Sequence, residues 1–337
     1  MRRNKLETNR YFLLLTLLAI VASVNCGKTG NRPKRYSVAV IPKGTTHEFW
    51  KAIHAGAAKA EQELSSPDLQ VAVTWKGPLR EDDREQQIQV VEGFLSQGVN
   101  GIVLAPLDSR ALVRPVEEAA SAGIPTVIID SALDSSNIVS FVATDNLKGG
   151  ELAADRMAEL LQGKGKVLLL RYQEGSASTT DREQGFLAKM KSAYPSLEVI
   201  SSDQYAGPTR DTAKQASENL LNRFGNDIQG VFCVNESSTA GMLLALQDLG
   251  KAGKVAFLGF DATQQFIDAM RNKQLNGVVV QNPFNMAYLG VKTMVEHLEG
   301  KPVDRRVDTG VTMITPENLD DQASQALLHP PVDQYLK

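Results

Sequence analysis

The chain has little of what builds reactive or cross-linked sites. Its two cysteines cannot form a disulfide framework, and no CxxC pair offers a redox or thiolate–metal centre. The four histidines, His47, His54, His297 and His329, show no HExxH or other paired spacing, so no metal site is expected. There is no GxSxG elbow, no phosphate-cradling GxxxxGK[ST] loop, no GxGxxG turn and no calcium loop of the EF-hand type. Carboxylate pairs such as Asp82–Asp83 and Asp320–Asp321 have the character of solvated helix starts rather than acid–base machinery. No catalytic residue, cofactor or metal is therefore assigned, and nothing suggests turnover. Basic and acidic residues nearly balance, 36 against 39 for a net charge of −3, which excludes a concentrated nucleic-acid face. Aromatic residues make up only 6%, so each one near a cleft carries weight. No low-complexity linker divides the chain.

What is present begins with an export signature. Arg2, Arg3, Lys5 and Arg10 form a basic start, followed by an apolar run from Tyr11 to Val24. That run is shorter than the ~20 residues of a spanning helix and fits a signal peptide. A signal over 1–26 ending at Cys26 resembles the bacterial lipoprotein pattern, in which that cysteine is acylated. The residues before it, Ser23, Val24 and Asn25, differ from the usual Leu-Ala-Gly type. The polar stretch 27–35 then serves as a tether. The expected location is the periplasm or cell envelope, with a lipid anchor in a membrane. Cys233, in the apolar run VFCV, is expected in a core.

From Tyr36 onward, short runs rich in Val, Ile and Leu alternate with segments of helical periodicity. Strands are expected at 36–41, 70–75, 101–104, 126–130, 138–142, 166–170, 197–201, 230–234, 255–260 and 277–281. Several are continuously apolar, as parallel strands buried on both faces are. Helical stripes run through Phe49, Ile53, Ala57, Ala60 and Leu64, through Leu152, Met157, Leu160 and Leu161, and through Leu289, Met294, Val295 and Leu298. Alternation over this length means an α/β fold, and about ten strands are too many for one ordinary sheet of this class. Two doubly wound parallel-sheet lobes are expected.

Ligands of open parallel sheets bind beyond the carboxyl ends of the strands. The polar residues that end the apolar runs are Lys43, Asp130, Arg171, Asn235, Asp261 and Gln281. Carboxylates and side-chain amides there match the paired donors and acceptors of a polyhydroxylated solute, while capping is the plainer role for any one of them. After the first strand, Phe49 and Trp50 open a helix where an aromatic face can pack on the C–H face of a sugar ring. Phe49 also fits the helix's core stripe, which leaves Trp50 the stronger wall candidate. His47 stands just before them, able to bond a ligand or to start the helix.

These segments together resemble the ribose-type family of periplasmic binding proteins, the solute receptors of sugar importers. The resemblance is carried by IPKGTTHEFW, VIID, TDNLKGGELAA, STTDREQGF, VFCVNESSTAG, FLGFDAT and VVVQNPF, in the family's order from about residue 36 to 315. It implies Asp130, Asn235, Asp261 and Gln281 as hydroxyl-binding residues, Phe49 and Trp50 as aromatic walls, and Arg182 as a guanidinium contact. Departures point away from plain ribose: Ser131 follows Asp130 where ribose receptors carry Arg, and Arg182 sits two positions beyond the family's arginine. Lys43 in IPK and the TWKGP segment resemble receptors for the autoinducer-2 signal. The implied lobes are 36–144 with 282–308, and 145–281 with 309–325, joined by a multi-strand hinge and followed by a tail, 326–337. Asp145 or Asn146 is expected to cap the helix that follows, with Gly149 and Gly150 allowing close helix packing. The implied partners are a small polar solute, a sugar above all, and an ABC permease of the inner membrane. A receptor feeding a chemotaxis or sensor-kinase system is the alternative.

Overall fold

The computed structural model describes residues 33–336, so the signal segment and Cys26 lie outside the described residues. Each expected strand is present, with ends shifted by a few residues. The first half runs β1 (Lys34–Ile41), α1 (Glu48–Leu64), β2 (Leu69–Trp75), α2 (Arg84–Gln97), β3 (Gly101–Leu104), α3 (Val113–Ser121), β4 (Thr126–Ile129) and β5 (Ser140–Ala143). The second repeats the scheme with α4 (Asn146–Leu160), β6 (Gly165–Leu170), α5 (Ala177–Ala193), β7 (Leu197–Ser201), α6 (Arg210–Phe224), β8 (Gly230–Cys233), α7 (Glu236–Asp248), β9 (Ala256–Phe260), α8 (Gln264–Arg271) and β10 (Gly277–Val280). Then follow α9 (Pro283–Leu298), two short strands β11 (Arg306–Asp308) and β12 (Thr312–Ile314), and two short helices, α10 (Gln322–Leu328) and α11 (Val332–Tyr335). β1 starts at Lys34, inside the stretch expected to be tether.

Two six-stranded sheets result, ordered β11-β5-β4-β3-β1-β2 and β12-β10-β9-β8-β6-β7. The two orders correspond strand for strand, and only β12 runs antiparallel to its neighbour. β3, β4, β8 and β10 are buried at every position, as both-face coverage by helices requires. Each sheet divides its lobe's core into two layers, and Cys233 lies wholly inside one of them. The three-residue β11 and β12 were not expected, because so short a run shows no period to recognise.

Among the described residues the chain passes between the two sheets three times, and α11 at its end returns to pack on α1 of the first lobe. α4 follows a strand of the first sheet but packs on β9 and β10 of the second. α9 follows β10 and packs back on β3, β4 and β5, and the link from β11 to β12 makes the third crossing. Asp145 Oδ1 accepts the Lys148 N–H to cap α4, while Asn146 is buried and bonded elsewhere. Gly150 lets α4 lie against α5: a Cβ there would stand 2.0 Å from the Arg182 carbonyl oxygen. That contact sets where the turn carrying Arg182 sits.

Candidate functional site

The carboxyl ends of both sheets face each other across a cleft. Lys43, His47, Phe49, Trp50 and Asp130 line it from the first lobe, and Arg182, Asn235, Asp261 and Gln281 from the second. All nine residues singled out by sequence therefore meet at one place. Arg171, the remaining strand-end residue, does not: its guanidinium turns to Glu183, 2.7 Å away, and to the Tyr205 ring. Tyr172, one position on, points inward instead, because side chains alternate along extended chain. Glu81, Tyr172, Ser178, Thr179 and Glu236 also line the cleft and were missed. Glu81 was hidden at the head of the acidic run EDDRE, which has the composition of a solvated loop. Glu236 directly follows Asn235, and Ser178 and Thr179 fall in a segment that did carry the family resemblance.

Backbone geometry aims the two central carboxylates. Asp130 ends β4 at φ 63° and Asp261 ends β9 at φ 69°, a left-handed conformation uncommon outside glycine, asparagine and aspartate. Each seat is fixed by the same bond, Asp130 N–H to the Val142 carbonyl at 3.2 Å and Asp261 N–H to the Val279 carbonyl at 2.8 Å. Lys43 Nζ lies 2.7 Å from Asp130 Oδ2 and donates to Ser178 Oγ of the other lobe at 3.0 Å. Asp261 accepts from the Gln281 amide at 2.7 Å and from the Glu236 N–H at 2.9 Å. Burial pushes the Asp261 carboxyl upward, with the Arg182 charge working against it. Arg182 is itself buried, its guanidinium held by Asn146 Oδ1 and the Val234 carbonyl, both at 2.9 Å, and stacked 3.7 Å from the Phe260 ring. Burial lowers its pKa, opposed first by Asp261 and Asp130.

A second network centres on Glu81. His47 Nδ1 lies 2.6 Å from Glu81 Oε1, the Trp50 indole N–H donates to the same oxygen at 2.7 Å, and the Tyr172 hydroxyl donates to Oε2 at 2.6 Å. Burial disfavours the charge on both members, yet each over-compensates the other: His47 is held at about 9 and Glu81 at about 2. Trp50 is thereby fixed and almost fully buried, so its ring is as much core as wall. Phe49 is only partly buried and is the freer aromatic face, the reverse of the sequence expectation. Asn235 fills the plainer role weighed for it, its Oδ1 accepting the Ser238 N–H to cap α7, and it also lines the cleft.

Several bonds cross between lobes. Besides Lys43–Ser178 and Tyr172–Glu81, the Ser178 N–H donates to Ser131 Oγ and Gln173 Nε2 to the Glu81 carbonyl. Glu236 accepts the Glu48 and Phe49 N–H groups at 3.3 and 3.1 Å, so a residue of the second lobe caps α1 of the first. The lobes are closed on each other, and the cavity between them has a volume of about 30 Å³, near that of one water molecule. The Gln281 Oε1 there is buried without a hydrogen-bond partner.

The model of the periplasmic binding protein domain matches residues 38–302. The ribose import binding protein of Bacillus subtilis is 28% identical over 289 residues, spanning 85% of this chain and 89% of that protein. The D-allose-binding periplasmic protein of Escherichia coli is 30% identical over 266 residues, 77% and 83% of the two chains. Among solved structures, a carbohydrate transporter solute-binding protein from Agrobacterium radiobacter, in complex with D-arabinose, superposes with a TM-score of 0.82. It is 32% identical and covers 88% of this chain and 99% of its own. Two corresponding sheets, a cleft at their carboxyl ends and a match from β1 past the end of α9 place this chain in the periplasmic binding protein family.

Proposed function

We propose that this protein captures an uncharged sugar between its lobes at the cell envelope and delivers it to an ABC permease. The observation that carries this is the convergence of Asp130, Asp261 and Gln281, from both lobes, on one cleft in which every cation faces a carboxylate. Lys43 stands against Asp130, His47 against Glu81, and Arg182 near Asp261, while burial raises the fourth carboxyl, Glu236, to about 7, so no cation is left over for an anionic ligand. Sugar hydroxyls would donate to the Asp261 and Gln281 oxygens and accept from Arg182, with Phe49 against the ring's C–H face. Nothing in this arrangement attacks a bond, so the solute leaves as it came.

Opening and closing occur about the three crossings, near residues 144, 281 and 308. A ligand that touches both lobes favours the closed form, because only there are both sets of polar groups satisfied. The cavity of about 30 Å³ cannot take a sugar ring unless the lobes part or side chains move aside. The curated relatives above are named for ribose import and allose binding, which favours delivery to an importer over a signalling role. Cys26 would carry the lipid that holds the protein at the membrane.

A thermal-shift panel of pentoses, hexoses, deoxysugars, polyols and autoinducer-2 tests the assignment. Ligand at 100 times its dissociation constant adds ~2.7 kcal/mol of stability. No shift from any sugar sinks the sugar class, and recovery of a chemically altered sugar sinks the binding-only role. Cys26→Ser should release the protein from the membrane fraction; a mutant that stays there was not anchored through this cysteine.

A further inference from the structure

We propose that the cleft continues into a second compartment, beneath the C-terminal segment, that takes an uncharged ring-sized substituent on the captured sugar. This rests on the sugar assignment above and extends it from a monosaccharide to a glycoside. A chamber of about 660 Å³ adjoins the cleft, and Phe49, Asp261 and Gln281 line both. Spaces that hold small organic ligands run about 300–1,000 Å³, so the chamber is of that order while the cleft proper is far smaller.

The chamber is walled on one side by the start of α1, on the other by Thr263–Ile267, and roofed by Leu327–Asp333. That roof is tied to both lobes. Leu328 is buried in the core of the second lobe, and the Tyr335 ring lies 5.6 Å from Phe284 at the start of α9, which packs on the first. The chamber is thus a built space under an ordered segment.

Its polar groups point to hydroxyls. Among the described residues, Gln265 Oε1 and Gln281 Oε1 are buried without hydrogen-bond partners, and both residues line the chamber. A buried acceptor left unpaired is unfavourable, and a hydroxyl donor brought against it removes that penalty. The remaining lining is mixed, with Ala52, Ile267, Val280 and Leu328 offering apolar surface for the faces of a ring. Charge argues against a phosphorylated or carboxylated substituent, because Glu48, Asp261 and Asp333 outnumber Arg210.

Calorimetric titration decides the matter. The probes are each monosaccharide that binds, its methyl glycoside, its 4-nitrophenyl glycoside and disaccharides carrying it, in both anomers. At least one ring-bearing glycoside should bind about tenfold tighter than its parent, a difference of about 1.4 kcal/mol. Gln265→Leu and a chain ending at His329 should each remove most of that advantage while changing parent affinity less than about twofold. If parents bind but every ring-bearing glycoside is rejected, or the advantage survives both variants, the second compartment is wrong and the sugar assignment stands. If no sugar of either kind binds, both fall together.

Discussion

Asp130 and Asp261 occupy the same seat in two copies of one architecture, and they do different things with it. Both end the corresponding strand, both have positive φ, and both bond backward to the neighbouring strand. Asp130 then meets a lysine ammonium at 2.7 Å, whereas Asp261 meets a neutral amide and a backbone N–H. A fold can duplicate a backbone position, but the side chains around it decide whether the group is neutralised by an ion pair or held by neutral hydrogen-bond donors. In the first lobe the carboxylate's charge is already paired, although its Oδ2 accepts no hydrogen bond of good geometry. In the second it is pushed upward by burial and shares its surroundings with an unpartnered glutamine oxygen.

The largest effects follow from breaking each seat. Asp130→Asn leaves the buried Lys43 ammonium without its counter-ion and should destabilise the protein by about 3–5 kcal/mol. Asp261→Asn removes no direct ion pair, keeps a residue that tolerates positive φ, and should cost sugar affinity about 10- to 100-fold with a smaller stability loss. Urea unfolding and sugar titration of both variants check this. Equal stability losses would erase the proposed difference between the seats.

The second test compares two glycines in matching helix contacts. A Cβ on Gly56 would meet the Phe284 carbonyl oxygen at 2.0 Å, and one on Gly150 would meet that of Arg182 at the same distance. Either alanine substitution should cost about 1–3 kcal/mol of stability. Only Gly150→Ala should also weaken sugar binding, since it displaces the turn that bears Arg182. Affinity losses of similar size in both variants would mean that Arg182 is not held in place this way.

The smallest effect is in pH dependence, where Glu81 of the first lobe and Glu236 of the second differ in sign. Glu81 sits at about 2, below its ordinary 4.5, so its contribution is present above pH 4.5 and is lost as pH falls toward 2. Burial raises Glu236 to about 7, so its contribution is present below pH 4.5 and is lost as pH climbs through 7. His47, raised from 6.5 to about 9, is lost over that higher window. Melting temperature should therefore fall by several degrees between pH 5 and 9. Glu236→Gln should flatten the part between 5 and 7, leaving the His47 part. A wild-type profile already flat from 5 to 7 would contradict the burial of an ionisable Glu236.

Much of the cleft was legible in sequence because strand-end position is a local property: an apolar run stops at a polar residue, and that end of a parallel sheet faces ligand. The rule failed by one residue at Arg171, where Tyr172 points inward instead, because the run alone does not give the parity of its last residue. It missed Glu81 entirely, since nothing in EDDRE distinguishes the one buried carboxylate from its solvated neighbours. It also exchanged the roles of Phe49 and Trp50, because the bond that fixes the indole comes from a residue 31 positions away.

The sequence by itself determined the alternation of strands and helices, the doubling into two lobes and the polar residues at the strand ends. All of these follow from hydrophobic period and chain order. Only the tertiary structure decided which of those polar groups neutralise one another, which carboxylates change their affinity for protons, and where the C-terminal segment lies. Those depend on distances between residues remote in the chain, and both charge interaction and burial are set by such distances. The Lys43–Ser178 bond spans 135 positions and the Glu236 cap on Phe49 spans 187, separations that no local pattern records.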